Sequence, residues 1–126
     1  MAQTIAIIGA SNDRGKYGNK AVRAFAAGGW TVYPVNPKEE VIEGLKCYAS
    51  ILDVPEPIDR VSIYIAPRYG KRILGDIAAK KPKEVFFNPG TEDEEILAQA
   101  RDLGLNAIQA CSIVNIGLRP DMFGDD

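Results

Sequence analysis

The chain has 126 residues, of which 46% are hydrophobic and 25% are charged, and its formal net charge is -2. This length predicts a single domain, residues 1–126, with a core of ordinary size, and the composition argues against disorder. The charge argues against nucleic acid as a partner, because binding to a phosphate backbone needs a clustered basic surface. Since no apolar run approaches the roughly eighteen residues that cross a bilayer, we expect a cytoplasmic protein with no membrane partner.

Two residue types restrict the chemistry that the chain can perform. Cys47 and Cys111 are far apart and fit neither a metal site nor a redox pair, so we expect reduced thiols and no bound metal. The chain contains no histidine. Mechanisms that rely on a histidine base, a histidine zinc ligand or a phosphohistidine are therefore excluded within these residues.

Short apolar runs alternate with helical patterns along the chain. The runs predict five strands, over residues 4–8, 30–35, 61–65, 84–87 and 105–110. Apolar residues at helical spacing predict helices over 19–27, over 67–81, and from a capping box of Thr91 and Glu94 to Gly104. Residues 38–57 carry a weaker pattern with one helical turn at 50–53, and residues 111–126 are expected to be irregular.

Strands that alternate with helices predict a parallel sheet, because successive parallel strands need crossover connections. We therefore expect an α/β fold, a Rossmann-like three-layer sandwich with a five-stranded parallel sheet in the order 3-2-1-4-5. Ligands of such sheets bind at the carboxyl ends of the strands, where the strand order reverses beside the first strand.

A glycine-rich turn, "GASNDRGKYGN", lies at that position in the sequence. Gly9 allows a tight turn and a close approach of the backbone to a ligand. Ser11 offers a hydroxyl, the amides that open the first helix attract an anion, and Arg14 and Lys16 add positive charge. The pattern predicts a phosphate site, although a glycine-bearing loop that only joins strand to helix would look similar.

The residues after the second strand, "YPVNPKEE", indicate which nucleotide would bind. Domains that bind NAD usually carry an acidic residue here for the ribose 2′-hydroxyl. This chain has Val35, Asn36 and Pro37 instead, followed by the cation Lys38. The pattern disfavours NAD and favours NADP or a 3′-phosphorylated nucleotide.

The stretches "IAIIGASNDRGKYGNKAV", "GGWTVYPVNPK", "IEGLKCYASILDVPEPIDRVSIYIAP" and "EVFFNPGTEDEE" together resemble the stand-alone CoA-binding protein family. They are also similar to the CoA-binding domain of ADP-forming acetyl-CoA synthetases and of the succinyl-CoA synthetase alpha subunit. The resemblance runs from about residue 4 to residue 111 and implies coenzyme A as the ligand.

The resemblance also implies which residues contact coenzyme A. The loop that would hold the phosphates contributes Gly9, Ala10, Ser11, Arg14, Gly15, Lys16, Tyr17 and Gly18. The residues that would border the adenosine 3′-phosphate are Val35, Asn36, Pro37 and Lys38. The residues that would line the adenine or pantetheine side are Ala66, Pro67 and Arg68.

The synthetases use a phosphohistidine on a further domain and a nucleotide-grasp domain, and this chain matches neither. We therefore predict non-catalytic binding of coenzyme A or acyl-CoA, without enzymatic activity, and leave open a protein partner or a homo-oligomer. The alternatives are a small NADP-dependent oxidoreductase and a structural or regulatory module. Cys111 is expected to be a packing residue, and the alternative is a mixed disulfide with the thiol of coenzyme A.

Overall fold

The computed structural model of the chain describes residues 2–126. Its main sheet has five parallel strands, β1 (Thr4–Ile8), β2 (Thr31–Val35), β5 (Arg60–Ile63), β6 (Glu84–Phe87) and β7 (Ala107–Gln109). A two-stranded antiparallel hairpin is formed by β3 (Val41–Ile42) and β4 (Leu45–Lys46). The helices are α1 (Tyr17–Ala27), α2 (Pro67–Ala79), α3 (Glu94–Asp102) and the short α4 (Ser112–Asn115). Two 3-10 turns cover Ile51–Asp53 and Pro120–Met122.

The sheet lies between two helical layers because its strands are apolar on both faces. In β1, Ala6 and Ile8 belong to the core under α2 and α3, whereas Ile5 and Ile7 belong to the core under α1 and α4. All five residues of β1 are buried. The predicted α/β Rossmann-like three-layer sandwich is confirmed.

The strand order confirms the predicted topology but changes the place of one strand. In space the sheet runs β2-β1-β5-β6-β7, so the run predicted as the third strand lies beside the first. The third place belongs to Tyr48, which forms an isolated parallel bridge with Val35 next to β2. If the Tyr48 bridge is counted as the edge position, the order across the sheet is 3-2-1-4-5, as predicted, and β7 lies beyond it as a further strand. The run at residues 61–65 is a strand as predicted, and it lies beside β1 rather than beyond β2.

Three local features differ from the sequence-based expectations. The cap of α3 is Asp93, whose carboxylate accepts from Ile96 N at 2.8 Å, while Thr91 Oγ1 donates to the Asn88 carbonyl. The hairpin β3–β4 lies inside the weak region 38–57, and its turn places Glu43 and Gly44 at positive φ, as a tight type I′ connection requires. The segment 111–126 contains α4 and a 3-10 turn.

The end of the sheet opposite the strand carboxyl termini is held by a half-buried polar cluster around Asp59. The Asp59 carboxylate accepts from Thr4 N at 2.9 Å and lies 3.3 Å from Lys83 Nζ. The backbone amide of Thr4, and then Lys83, hold the pKa of Asp59 below its usual range. The ionised carboxylate therefore contributes stability above the unfolded-state pKa, and this contribution is lost as the pH falls through the lower folded-state pKa.

We expect Asp59→Asn to lower the free energy of unfolding at pH 7 by about 1.5 kcal/mol, because the hydrogen bond to a charged acceptor is lost. The difference from the wild type should shrink as the pH falls below about 4. Urea unfolding at pH 7 and pH 3 measures both values. The exposed Asp102 makes no ion pair within residues 2–126, and Asp102→Asn should stay within about 0.5 kcal/mol of the wild type. A constant Asp59→Asn difference across this pH range would contradict the assignment.

No helix among the described residues is long and apolar enough to cross a membrane.

Candidate functional site

The glycine-rich turn lies at the carboxyl end of β1, where two glycines permit an unusually close backbone approach. Gly9 has φ +84°, and its amide donates to the Val35 carbonyl at the end of β2. A Cβ atom on Gly18 would lie 2.2 Å from the Gly9 carbonyl oxygen. The first turn of α1 therefore packs directly against the end of β1, and only glycine fits at position 18.

The loop between these glycines is held in shape by its own side chains. Ser11 Oγ accepts from Asp13 N at 3.0 Å, and the Asp13 carboxylate accepts from Gly15 N at 2.9 Å. Asn19 at the start of α1 donates to the Ser11 carbonyl at 2.9 Å. Because the Ser11 hydroxyl acts as an acceptor in this turn, its hydrogen remains available to a ligand.

The start of α1 carries an uncompensated positive helix end. Its N-cap residue, Lys16, makes no capping side-chain bond within residues 2–126, and the first turn has no acidic residue. By contrast, α3 is capped by Asp93 and opens with Glu94 and Glu95. The free amides and the dipole of α1 therefore favour an anion at this point.

Asn36 connects the glycine-rich loop to the end of β2. Its side-chain amide donates to the Ala10 carbonyl at 2.8 Å, and its side-chain oxygen accepts from Lys38 N at 2.8 Å. Its backbone amide donates to the Tyr48 carbonyl at 2.9 Å. Asn36 therefore orients the loop and the backbone of Lys38, and its own side-chain groups are already engaged.

A cleft of about 740 Å³ opens between the ends of β1, β2 and β5 and the first three turns of α2. Isoleucine side chains form the floor of the cleft, and three cations and one carboxylate also line it. The residues that line it are Ile8, Gly9, Lys16, Val35, Asn36, Pro37, Lys38, Ala49, Ser50, Ile51, Ile65, Tyr69, Arg72, Ile73 and Asp76. This combination of apolar floor and cationic rim suits a ligand with a planar apolar part and several anionic groups.

The rim of the cleft near α2 is strongly cationic. Tyr69 is 45% exposed, and its ring lies 4.8 Å from the guanidinium of Arg68 and 5.7 Å from that of Arg72. The hydrogen bond and charge of Arg68, followed by Arg72 and Lys38, lower the pKa of the Tyr69 phenol. A positive field at this rim would attract a phosphate group.

Six of the fifteen predicted site residues line the cleft: Gly9, Lys16, Val35, Asn36, Pro37 and Lys38. Ala10 is buried beneath the loop, and Gly18 packs against Gly9. Ala66 and Pro67 open α2, and Arg68 stacks on Tyr69 at the outer rim. Their contacts with a ligand stay predictions.

The remaining predicted residues face other partners. Arg14 lies 3.3 Å from the Glu43 carboxylate and also donates to the backbone oxygen of Asp126, and Gly15 lies against Asp125. Tyr17 lines a second cavity next to the cleft. Arg14 is therefore placed to hold the loop and the chain end together.

The sequence-based prediction missed the α2 side of the cleft. Tyr69, Arg72, Ile73 and Asp76 follow each other at intervals of three, one and three residues, which places them on one helix face. That spacing was visible in the sequence, but its apolar residues indicated only a core-facing stripe. The contribution of Ala49, Ser50 and Ile51 depends on the pairing of Tyr48 with β2 and has no local signal.

The two thiols lie in different surroundings. Cys47 is buried, and burial raises the pKa of its thiol, as expected for an inert packing residue. Cys111 is partly buried and lines the second cavity. Within residues 2–126 no group of three or more metal-ligating side chains is found.

Together the fold and the cleft define a Rossmann-like domain with an open cleft at the carboxyl edge of its sheet. The model of the CoA binding domain matches residues 3–117, so the chain belongs to this family of CoA-binding domains. A conserved hypothetical protein from Pyrococcus furiosus has a similar structure, with a TM-score of 0.82 at 33% identity over 90% of this chain and 98% of that chain.

Two curated relatives are larger proteins. The alpha subunit of ADP-forming acetate–CoA ligase II from Pyrococcus furiosus is 37% identical over 82% of this chain and 25% of its own length. ADP-forming acetate–CoA ligase II from Archaeoglobus fulgidus is 35% identical over 73% of this chain and 14% of its own length. The chain therefore corresponds to the CoA-binding region of these ligases and spans a quarter or less of them.

Proposed function

We propose that the protein binds coenzyme A or acyl-CoA in the cleft and does not itself catalyse a reaction. The observation that carries the proposal is the uncapped start of α1, which meets the glycine turn at the edge of a cleft with a cationic rim. Membership of the CoA-binding domain family supports the choice of ligand.

The phosphates of coenzyme A would occupy the loop of residues 9–18. The amides at the start of α1 would donate to the diphosphate, with the Ser11 hydroxyl as a further donor and Lys16 as a counter-charge. The positive charge of Arg14 is already shared with Glu43, so Arg14 would act mainly by holding the loop.

The adenosine 3′-phosphate would lie beside Lys38 and Arg72, both of which line the cleft. Pro37 and the Tyr69 ring would contact the adenine, with Ala66, Pro67 and Arg68 at the start of α2 bordering the adenine or pantetheine side. A guanidinium and an ammonium on facing walls suit a doubly charged phosphate.

The absence of catalysis is proposed on the composition of the chain. It contains no histidine, so a phosphohistidine relay cannot be formed by these residues. A binding role, alone or with a partner protein, needs only the cleft.

We expect isothermal titration calorimetry to show that coenzyme A binds about tenfold more tightly than 3′-dephospho-CoA, because a charge-assisted contact contributes about 1.5 kcal/mol or more. NADP and NAD should bind more weakly than coenzyme A. Lys38→Ala should reduce the preference for the 3′-phosphate several-fold.

Lys83→Ala is the matched control for Lys38→Ala. Lys83 is 81% exposed and pairs with Asp59 at the opposite end of the sheet, so its loss should leave the ligand preference unchanged. Equal affinities for coenzyme A and its dephospho form would refute the role of Lys38. Tighter binding of NADP than of coenzyme A would favour the oxidoreductase alternative.

A further inference from the structure

The wall of the cleft that α2 provides carries opposite charges at different distances from the start of this helix. Tyr69, Arg72, Ile73 and Asp76 line the cleft from one face of α2. Asp76 lies about 10 Å further along the helix axis than Tyr69. Arg72 lies one turn nearer the start of the helix than Asp76. The carboxylate therefore marks the end of this wall that is farthest from the start of α2.

Asp76 is the only carboxylate among the residues that line the cleft, and it has no partner of its own. Arg72 and Lys80 flank it at the spacing at which ion pairs form along a helix. Within residues 2–126 the Asp76 side chain nevertheless makes no ion pair, and Lys80 Nζ instead donates to the Val54 carbonyl at 2.7 Å. The side chain is only partly buried, so its oxygens can accept hydrogen bonds from a ligand in the cleft.

A hydroxyl group lines the same cleft from a neighbouring element. Ser50 precedes the 3-10 turn Ile51–Asp53, which packs against α2. The Ser50 hydroxyl oxygen accepts from Leu52 N at 3.2 Å as the cap of this turn. Because a hydroxyl that accepts in this way keeps its hydrogen, Ser50 can still donate to a ligand. The cleft therefore offers one group that only accepts, Asp76, and one that can donate, Ser50.

A carboxylate in a cleft for an anionic ligand needs a donor on that ligand, because a phosphate in the same place would be repelled. Adenine has such a donor in its 6-amino group, and the ring nitrogens beside that group accept hydrogen bonds. A 6-oxopurine such as hypoxanthine presents a carbonyl acceptor at the same position. An acceptor-only side chain therefore favours adenine over a 6-oxopurine.

We propose that Asp76 selects adenine as the base of the bound coenzyme A by accepting a hydrogen bond from its 6-amino group, while the Ser50 hydroxyl donates to the neighbouring ring nitrogen. This inference rests on the proposed binding of coenzyme A in the cleft. Ile73 lies between Tyr69 and Asp76 on the helix face. A purine over Ile73 therefore has the Tyr69 ring on one side and the Asp76 carboxylate on the other.

The test compares coenzyme A with its deamino analogue, in which hypoxanthine replaces adenine, by calorimetry under reducing conditions. The two ligands carry the same phosphates and the same pantetheine arm, so the ratio of their affinities reports on the base alone. The wild type should bind coenzyme A about tenfold more tightly, because the 6-carbonyl brings a second acceptor to the Asp76 carboxylate. Asp76→Asn should bring the ratio to about one, because the new amide can donate to the 6-carbonyl.

Asp53→Asn is the matched control for Asp76→Asn. Asp53 lies in the 3-10 turn that follows Ser50, and its exposed side chain does not line the cleft. This substitution removes the same charge close to the cleft and should keep the wild-type ratio. Ser50→Ala should weaken the binding of coenzyme A about threefold, because a neutral hydrogen bond to the base is lost.

The outcomes separate this inference from the proposed function. Binding of coenzyme A and its deamino analogue with equal affinity would overturn the selection of adenine and leave the proposed function standing. An unchanged ratio in Asp76→Asn, or an equal change in Asp53→Asn, would overturn the contact of the Asp76 carboxylate with the base. Unchanged affinity in Ser50→Ala would overturn the role of Ser50. Failure of the wild type to bind either ligand would overturn both the inference and the proposed function.

Discussion

Gly18→Ala is expected to lower the free energy of unfolding by about 3 kcal/mol or more, although it adds a single methyl group. The new Cβ would lie 2.2 Å from the Gly9 carbonyl oxygen, 3.1 Å from the Gly9 carbonyl carbon and 3.4 Å from the Ala10 Cα. These are backbone atoms, so no side-chain rotation relieves the contact. The start of α1 must move away from β1, and urea unfolding followed by circular dichroism measures the cost.

Gly75→Ala is the matched control, because Gly75 also lies in a helix. A Cβ at position 75 would meet no atom within 4 Å among residues 2–126. In an open helical position alanine is favoured over glycine, so Gly75→Ala should raise stability by about 0.5–1 kcal/mol. A Gly18→Ala protein with wild-type stability would mean that the loop and α1 can separate without cost.

The second large effect is expected for Asn88→Ala, which should destabilise the protein by about 3 kcal/mol and lower Tm by roughly 10 °C. Asn88 is 3% exposed, and its side chain joins Ser62 and the Ile63 carbonyl in β5 to the amide of Ser112 at the start of α4. Alanine at position 88 would leave the buried backbone amide of Ser112 and the carbonyl of Ile63 without the hydrogen bonds that Asn88 makes to them. Differential scanning calorimetry measures both quantities.

Asn106→Ala provides the comparison for Asn88→Ala. The Asn106 side chain is exposed and makes a hydrogen bond of only 3.4 Å to the Lys83 carbonyl, so its removal should change stability by about 0.5 kcal/mol or less. Equal effects of the two substitutions would show that α4 does not depend on Asn88.

Both large effects concern residues that shape the proposed ligand site without supplying charge to it. Gly18 sets the distance between the glycine-rich loop and α1, and Asn88 positions the segment that carries Cys111 and α4. We therefore expect weaker binding of coenzyme A in both variants, measured below their unfolding temperatures. The proposed charge contact of Lys38 should instead change ligand preference without a large change in stability.

Features that depend on local sequence were predicted well. The strand at 84–87 was placed at its observed bounds, and the first strand and the glycine turn were also recognised. A short, continuous apolar run followed by glycine indicates a strand that is buried on both faces. Such burial requires a sheet between helical layers. The cap of α3 was predicted at Thr91 and this was wrong: Asp93 is the cap, and only the path of the chain selects it.

The sequence by itself determined the class of fold, the position of the glycine-rich loop and the family to which the chain belongs. The tertiary structure alone decided that Tyr48 pairs with the end of β2, that Tyr69 and Arg72 complete the cleft, and that Tyr64 lines the second cavity. The physical reason is that strand and helix patterns record contacts along the chain, whereas a cleft is formed by side chains from separate elements. Their meeting depends on strand order and helix orientation, and neither has a local pattern in the sequence.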